Sequence, residues 1–206
     1  LTGETIPPTF ADIFGESWSS MPCVFHKHYA NRPYSTDVTK TVGLMKIEMS
    51  RTLRLLAPLF GLTQTLVPFT GEGIRCEVNF ESEINSRAFW FNRVFHFPNR
   101  KPYVFRSKLV PIGENRVIEY TKSGIGWVAT YEFAKEQVRL HHIGYVISIL
   151  GQDFKLPLEW VFGKSTAFEE AVDENSFGMK MEIRHPVFGK IYGYEGRFSV
   201  IELPNG

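Results

Sequence analysis

Most of the chain after residue 73 is a train of short alternating segments, each closed by a turn signal, and nothing else constrains the fold so strongly. The stretch "GIRCEVNFESEI" sets the pattern. Ile74, Cys76, Val78 and Phe80 fall on one face of an extended chain, and Arg75, Glu77, Asn79 and Glu81 fall on the other. A strand repeats every two residues, so this is a half-buried strand with one wet face. Further strands are expected over 88–97, 103–110, 116–121, 126–133, 137–147, 165–173, 176–185 and 190–201. They are separated by turn signals such as "FPNRKP", "PIGEN", "KSGIG", "DENS" and "HPVFG". Connections this short join antiparallel neighbours, because a parallel pair needs a long crossover. With the looser alternation of "DVTKTVGLMKIEM", the expectation is one antiparallel sheet of roughly nine or ten strands. Twist curls so large a sheet into a barrel or half-barrel.

The first third reads differently. "TFADIFG" offers Thr9 as a cap and a Gly stop, and Pro22 opens a helix running to Tyr29 or Ala30. "SRTLRLLAPLFGL" predicts a third helix from Ser50, bent or ended by Pro58 and closed by Gly61. The insert "LGQDFKLPLEWVFG" predicts a short helix or a lid. The expected class is therefore α+β, a single domain over 1–206, with a helical part over about 9–60 and a sheet over about 73–201.

Composition narrows the function. Lys and Arg total 23 against 22 acidic residues, a formal charge of +1, so no basic stripe for nucleic acid is expected. The two cysteines, Cys23 and Cys76, lack CxxC spacing, and a reducing, cytoplasmic setting is the expectation. The start "LTGE" has no basic region followed by an apolar run, so no secretion leader is expected, and the absent initiator Met points to a processed chain or a piece of a longer one. The longest apolar region, 55–71, is interrupted by Pro58, Gly61 and Pro68, which predicts no membrane span.

Arg93 is the strongest functional lead. In "AFWFNRVFHF", Phe89, Phe91, Phe95 and Phe97 share its face. An unpaired charge among phenylalanines is too costly to bury, so an inward Arg93 needs an anionic partner. That partner is an internal carboxylate (Glu119, Glu132, Glu169 or Glu195) or a carboxylate or phosphate on a guest, which the guanidinium fork matches. Alternatively Trp90, Val94 and His96 face inward and Arg93 lies outside. With 18 Phe and 15% aromatic residues, the faces suit a wide apolar interior. His26 and His28 are two apart and so on different sides of a helix, which argues against a metal pair. His28 and Tyr29 are expected to anchor the helix end or line a cavity mouth. His141 and His142 point to opposite faces of a strand, so one of them at most serves a pocket. Tyr192, Tyr194 and Phe198 share one face of the last strand, where Gly193 and Gly196 mark a close approach. "GIGWVA" fits GxGxxA but opens a strand, not a helix, so it cannot cradle a phosphate. No P-loop, GxSxG, HExxH or EF-hand loop occurs. No metal and no cofactor are expected.

Four motifs occur in order over nearly the whole chain: "MPCVFHKHY", "FNRVF", "KLPLEW" and "HPVFGKIYGYEG". Together they resemble a bacterial family catalogued as domain of unknown function 4166. This chain departs from the pattern in placing Trp90 three, not two, positions before Arg93. The resemblance implies occurrence alone or beside other modules, including dehydrogenase-like ones, and so a fused or neighbouring enzyme as a partner. It implies no activity.

Three functions follow from the residues. The first is a binding or accessory module whose aromatic interior takes an apolar or anionic small molecule, with Arg93, Phe91, Phe95, His28, Tyr29, His142 and Tyr194 as the site. The second is an enzyme on a small organic acid or acyl compound, with Arg93 holding the carboxylate. The third is a structural or interaction module with a filled core and an exposed aromatic patch involving Trp18, Trp160 or Phe162.

Overall fold

The computed structural model describes residues 6–204. The expectations about the chain start concern residues 1–5, which lie outside this range. Ten antiparallel strands close into a barrel. In chain order they are β1 (Val38–Met49), β2 (Gly71–Ser82), β3 (Phe89–His96), β4 (Tyr103–Pro111), β5 (Arg116–Tyr120), β6 (Ile125–Ala134), β7 (Gln137–Ile149), β9 (Lys164–Ala171), β10 (Ser176–His185) and β11 (Gly189–Glu202). An extra strand, β8 (Gln152–Leu156), pairs outside this cycle with the far half of β7. It falls in the insert expected to be a helix or lid. Closure comes from β11 pairing with β1 and from β7 pairing with β9.

The alternation seen in the sequence becomes the inside and outside of the barrel. Ile74, Cys76, Val78 and Phe80 of β2 are all buried, as are Phe89, Phe95 and Phe97 on or just past β3. Gly196 lets β11 coil tightly onto β1, since a Cβ there would stand 2.5 Å from the Leu44 carbonyl oxygen.

Four α-helices occur among the described residues, two of them before the barrel: α1 (Thr9–Phe14) and α2 (Cys23–His28). Thr9 is buried inside α1 rather than capping it, and Pro8 precedes the first turn. Phe10, Phe14, Phe25 and Tyr29 fill the barrel end where β1 begins, with the Phe10 ring packed at a tilt 5.4 Å from both Phe89 and Tyr131. The expected third helix is two. Ser50 caps α3 (Arg51–Arg54) by accepting from the Leu53 amide at 3.2 Å. Pro58 then sits in the first turn of α4 (Ala57–Thr63), where its missing N–H costs nothing, so it starts a helix instead of ending one. Gly61 lies within α4, and Gln64 in a left-handed conformation ends it. These two helices, with a 3₁₀ turn at Leu158–Trp160, cover the opposite barrel end.

At that end the ladder is split. The near half of β7 pairs with β9 and the far half with β8, which leaves a seam between β7 and β9. The seam is bridged by the Tyr145 hydroxyl, 3.3 Å from the Gly163 carbonyl and 3.2 Å from Ser165 Oγ. Gly163 has φ +86°, and a Cβ on it would lie 2.1 Å from the Arg184 carbonyl oxygen. Gly189 also has a positive φ, +66°, but a Cβ there would meet nothing within 4 Å. Gly189→Ala should therefore lose about 1 kcal/mol by urea denaturation, the left-handed cost alone. Gly163→Ala should lose more than about 2 kcal/mol, because backbone must also move.

Candidate functional site

An interior pocket of about 280 Å³ occupies the barrel half covered by α4 and the 3₁₀ turn. Its walls are mainly apolar, with Met45, Val78, Met179, Met181 and Phe198 among them, and Leu59, Leu158 and Phe162 at the covered end. Leu59 lines the pocket and is also 51% exposed, so the pocket reaches the surface beside α4.

Arg93 points inward and is 8% exposed. The Phe91 and Phe105 rings lie 4.0 and 4.3 Å from its guanidinium carbon, so aromatic faces hold the fork on both sides. Its Nη2 donates to Glu119 Oε1 and to Ser107 Oγ, each at 2.6 Å, and Ser107 Oγ donates to the same carboxylate oxygen at 2.6 Å. Three adjacent strands build this triangle. Phe91 is opposite Ser107 and Leu109 is opposite Glu119, which sets Arg93, Ser107 and Glu119 on one diagonal of the inner face. Arg93 Nε is buried with no hydrogen-bond partner among the described residues. Burial pushes the Tyr194 hydroxyl up to about 12, against the opposing pull of Arg93. Burial likewise pushes the Cys76 thiol up to about 12, which leaves a protonated thiol in the pocket wall.

A second polar line closes the seam. Trp127, in the pocket wall, donates its Nε1–H to His142 Nδ1 at 2.9 Å, and His142 Nε2 lies 2.9 Å from Glu159 Oε1 in the 3₁₀ turn. An indole nitrogen only donates, so Nδ1 accepts and the proton sits on Nε2, facing Glu159. The His142 side chain is 2% exposed. Burial holds its pKa below the usual histidine value, although Glu159 pulls it up, and Lys164 lowers it further. A third cluster lies under the N-terminal helices. The Tyr29 hydroxyl donates to Glu169 Oε2 at 2.6 Å, and His28 Nε2 stands 3.8 Å from the other carboxylate oxygen.

Of the residues selected from sequence, Arg93, Phe91, Phe95 and Tyr194 line the pocket. His142 is one residue removed, behind Trp127, and His28 and Tyr29 lie in the cluster at the helical end. His141 faces outward, 3.0 Å from Glu132. His26 packs edge-on against Trp18 at 4.5 Å. Sequence reasoning missed Ser107, Phe105, Trp127 and Glu159 as site residues. Ser107 had a signal, since it is the polar member of the inward series Phe105–Ser107–Leu109. Glu159 had none, because its role depends on the seam. No group of three or more His, Cys, Asp or Glu is placed to hold a metal among the described residues.

Two expectations follow. Arg93→Met should cost about 2–3 kcal/mol in urea denaturation by leaving the part-buried Glu119 without its counter-charge, and Arg93→Met with Glu119→Leu should recover most of that loss. The His142 contribution to stability should be present above about pH 6.5 and fall as the pH drops towards 5, since there the unfolded chain binds a proton that the folded chain resists. His142→Gln, which preserves both hydrogen bonds without titrating, should flatten that slope.

A model described as "Domain of unknown function (DUF4166)" matches residues 22–198. No curated protein matches the chain. Among solved structures, the dehydratase domain of the polyketide PpsC from Mycobacterium tuberculosis is similar at 7% identity, over 91% of this chain and 84% of that one, with a TM-score of 0.20. That similarity is too slight to bear on function. No described helix is long and apolar enough to cross a membrane. The family match covers all four of the sequence motifs from "PCVFHKHY" to "YGYEGRF", and the chain belongs to the family of domain of unknown function 4166.

Proposed function

We propose that this barrel is a binding module for a small apolar molecule with one polar end that accepts hydrogen bonds. The observation that carries the reading is the pairing of an apolar interior space with a buried guanidinium that still has an unpartnered nitrogen. The volume is near the lower end for small-molecule sites, about 300–1,000 Å³. Methionines in the wall let it adjust to an unbranched or branched guest. Glu119 already neutralises Arg93, so a guest carboxylate would face a second carboxylate. A carbonyl, ester or alcohol oxygen accepts from Arg93 without that repulsion, which favours a neutral polar end over the anionic one considered from sequence alone. The enzyme reading has less support, because the Cys76 thiol and the Tyr194 hydroxyl in the wall are held protonated and no histidine among the described residues lines the space. A fused or neighbouring enzyme would be the natural source or recipient of the guest.

Binding of a medium-chain alcohol, its methyl ester analogue and the matching carboxylate, read by Trp127 fluorescence and native mass spectrometry, tests this. The alcohol and ester should bind saturably, at least about tenfold tighter than the carboxylate, because a buried like charge is costly to accommodate. Met179→Phe should fill the space and abolish binding while circular dichroism stays native. Saturable binding by none of the three, with no co-purifying mass, would overturn the reading.

A further inference from the structure

The barrel end that carries the pocket opening also carries exposed apolar side chains on three separate segments. Leu55, Leu59 and Leu62 of the α3–α4 region are 82%, 51% and 79% exposed. Trp160 and Val161, on and just after the 3₁₀ turn, are 81% and 55% exposed. Val187 and Phe188, at the tip of the β10–β11 hairpin, are 77% and 66% exposed. These segments touch one another. The Phe60 and Phe162 rings stand 6.1 Å apart, and His185 Nε2 lies 3.1 Å from the Trp160 carbonyl oxygen. The Ser50 amide donates to the Ile191 carbonyl at 2.8 Å, which ties the start of α3 to β11 just past the hairpin tip. The exposed side chains thus form one rim around the pocket opening.

The charges on this rim are asymmetric. Arg51 and Arg54, on α3, are exposed and make no ion pair among the described residues, and neither does Lys164 at the start of β9. Of the acids at this end, Glu182 meets Arg184 at 2.8 Å and Lys190 at 3.4 Å, and Glu48 meets Lys190 at 2.8 Å, while Glu159, hydrogen-bonded to an uncharged His142, and the exposed Glu72 keep their charges, so the three unpaired cations exceed the uncompensated acids by one. A rim that is apolar at its tips and cationic beside them matches the chemistry of an anionic bilayer surface, apolar within and negative at the headgroups. Trp160 suits the headgroup boundary, where an amphipathic ring has one wet and one apolar side.

We infer that this rim docks on the surface of an anionic phospholipid bilayer, with the pocket opening facing the lipid. Leu59 belongs to both the rim and the pocket wall, so a docked molecule would have a continuous apolar path from acyl chains to the interior. A protein partner covering the same rim would seal that opening. The docking itself stands on the rim, and its purpose, exchange of a guest with the membrane, rests on the binding reading above.

The test is flotation of the protein with vesicles of pure phosphatidylcholine and of phosphatidylcholine with about one third phosphatidylglycerol, at low and high salt. The protein should float with the anionic vesicles, much less with the neutral ones, and lose binding as salt rises. Leu62→Ser with Trp160→Ser and Phe188→Ser should reduce partitioning at least about tenfold, and Arg51→Glu with Arg54→Glu should abolish the preference for anionic lipid. All five positions are exposed, so both variants should fold, and their alcohol binding by fluorescence should match the parent. Retained alcohol binding without flotation of the parent protein would overturn the docking and spare the pocket. Flotation without alcohol binding would do the reverse. Concentration-dependent self-association that the serine variant abolishes, without vesicle binding, would assign the rim to a second copy and overturn the inference.

Discussion

The return of β11 to β1 decides most of this structure. Their pairing runs from Lys40 opposite Glu202 to Met49 opposite Tyr192, with Gly196 admitting a close approach to the backbone at Leu44. Without that ladder the meander would be an open sheet with two long edges, a standing invitation to pair with other chains. With it, one face of most strands is withdrawn from water, and a charge placed on that face needs a partner there.

Arg93 shows the consequence. On an open sheet its guanidinium would reach solvent. Inside the barrel it sits between two phenyl faces and needs Glu119, which is supplied from two strands away through Ser107. The pair satisfies the charge and leaves part of the guanidinium's donor capacity unused. The ion pair and the pocket, which were competing explanations of Arg93, are therefore two aspects of one arrangement. The same triangle fixes a charged, directional feature in a mainly apolar wall.

The seam between β7 and β9 is the counterpart of closure. Where the ladder stops, side chains take over: Tyr145 reaches Gly163 and Ser165, and His142 joins Trp127 to Glu159. Segment 157–163 covers the pocket because of these contacts and not because of its own secondary structure, which amounts to a single 3₁₀ turn. A covering held by a few hydrogen bonds is more easily moved than a strand in a ladder. The pocket opening and the exposed rim lie at this less tightly held end.

By itself the sequence determined the elements and their faces. The two-residue period over ten segments, the short turns between them and the alternating aromatics already implied an antiparallel sheet large enough to curl, and placed Arg93 among Phe89, Phe91, Phe95 and Phe97. Those are local properties, because periodicity and turn chemistry act over a few residues. Where local signals were ambiguous the reading was partial: Pro58 begins a second helix after a break, and the insert holds the expected short helix, as a 3₁₀ turn, but also β8. Tertiary structure decided everything that depends on register. Which of four glutamates meets Arg93, which of two adjacent histidines is buried, and where the ladder splits are set by contacts between residues far apart in the chain. Extra residues at Ile201 of β11, opposite Lys40–Thr41, and at Ile143 of β7, opposite Val128–Ala129, shift that register by single positions, and one position is enough to exchange inside for outside.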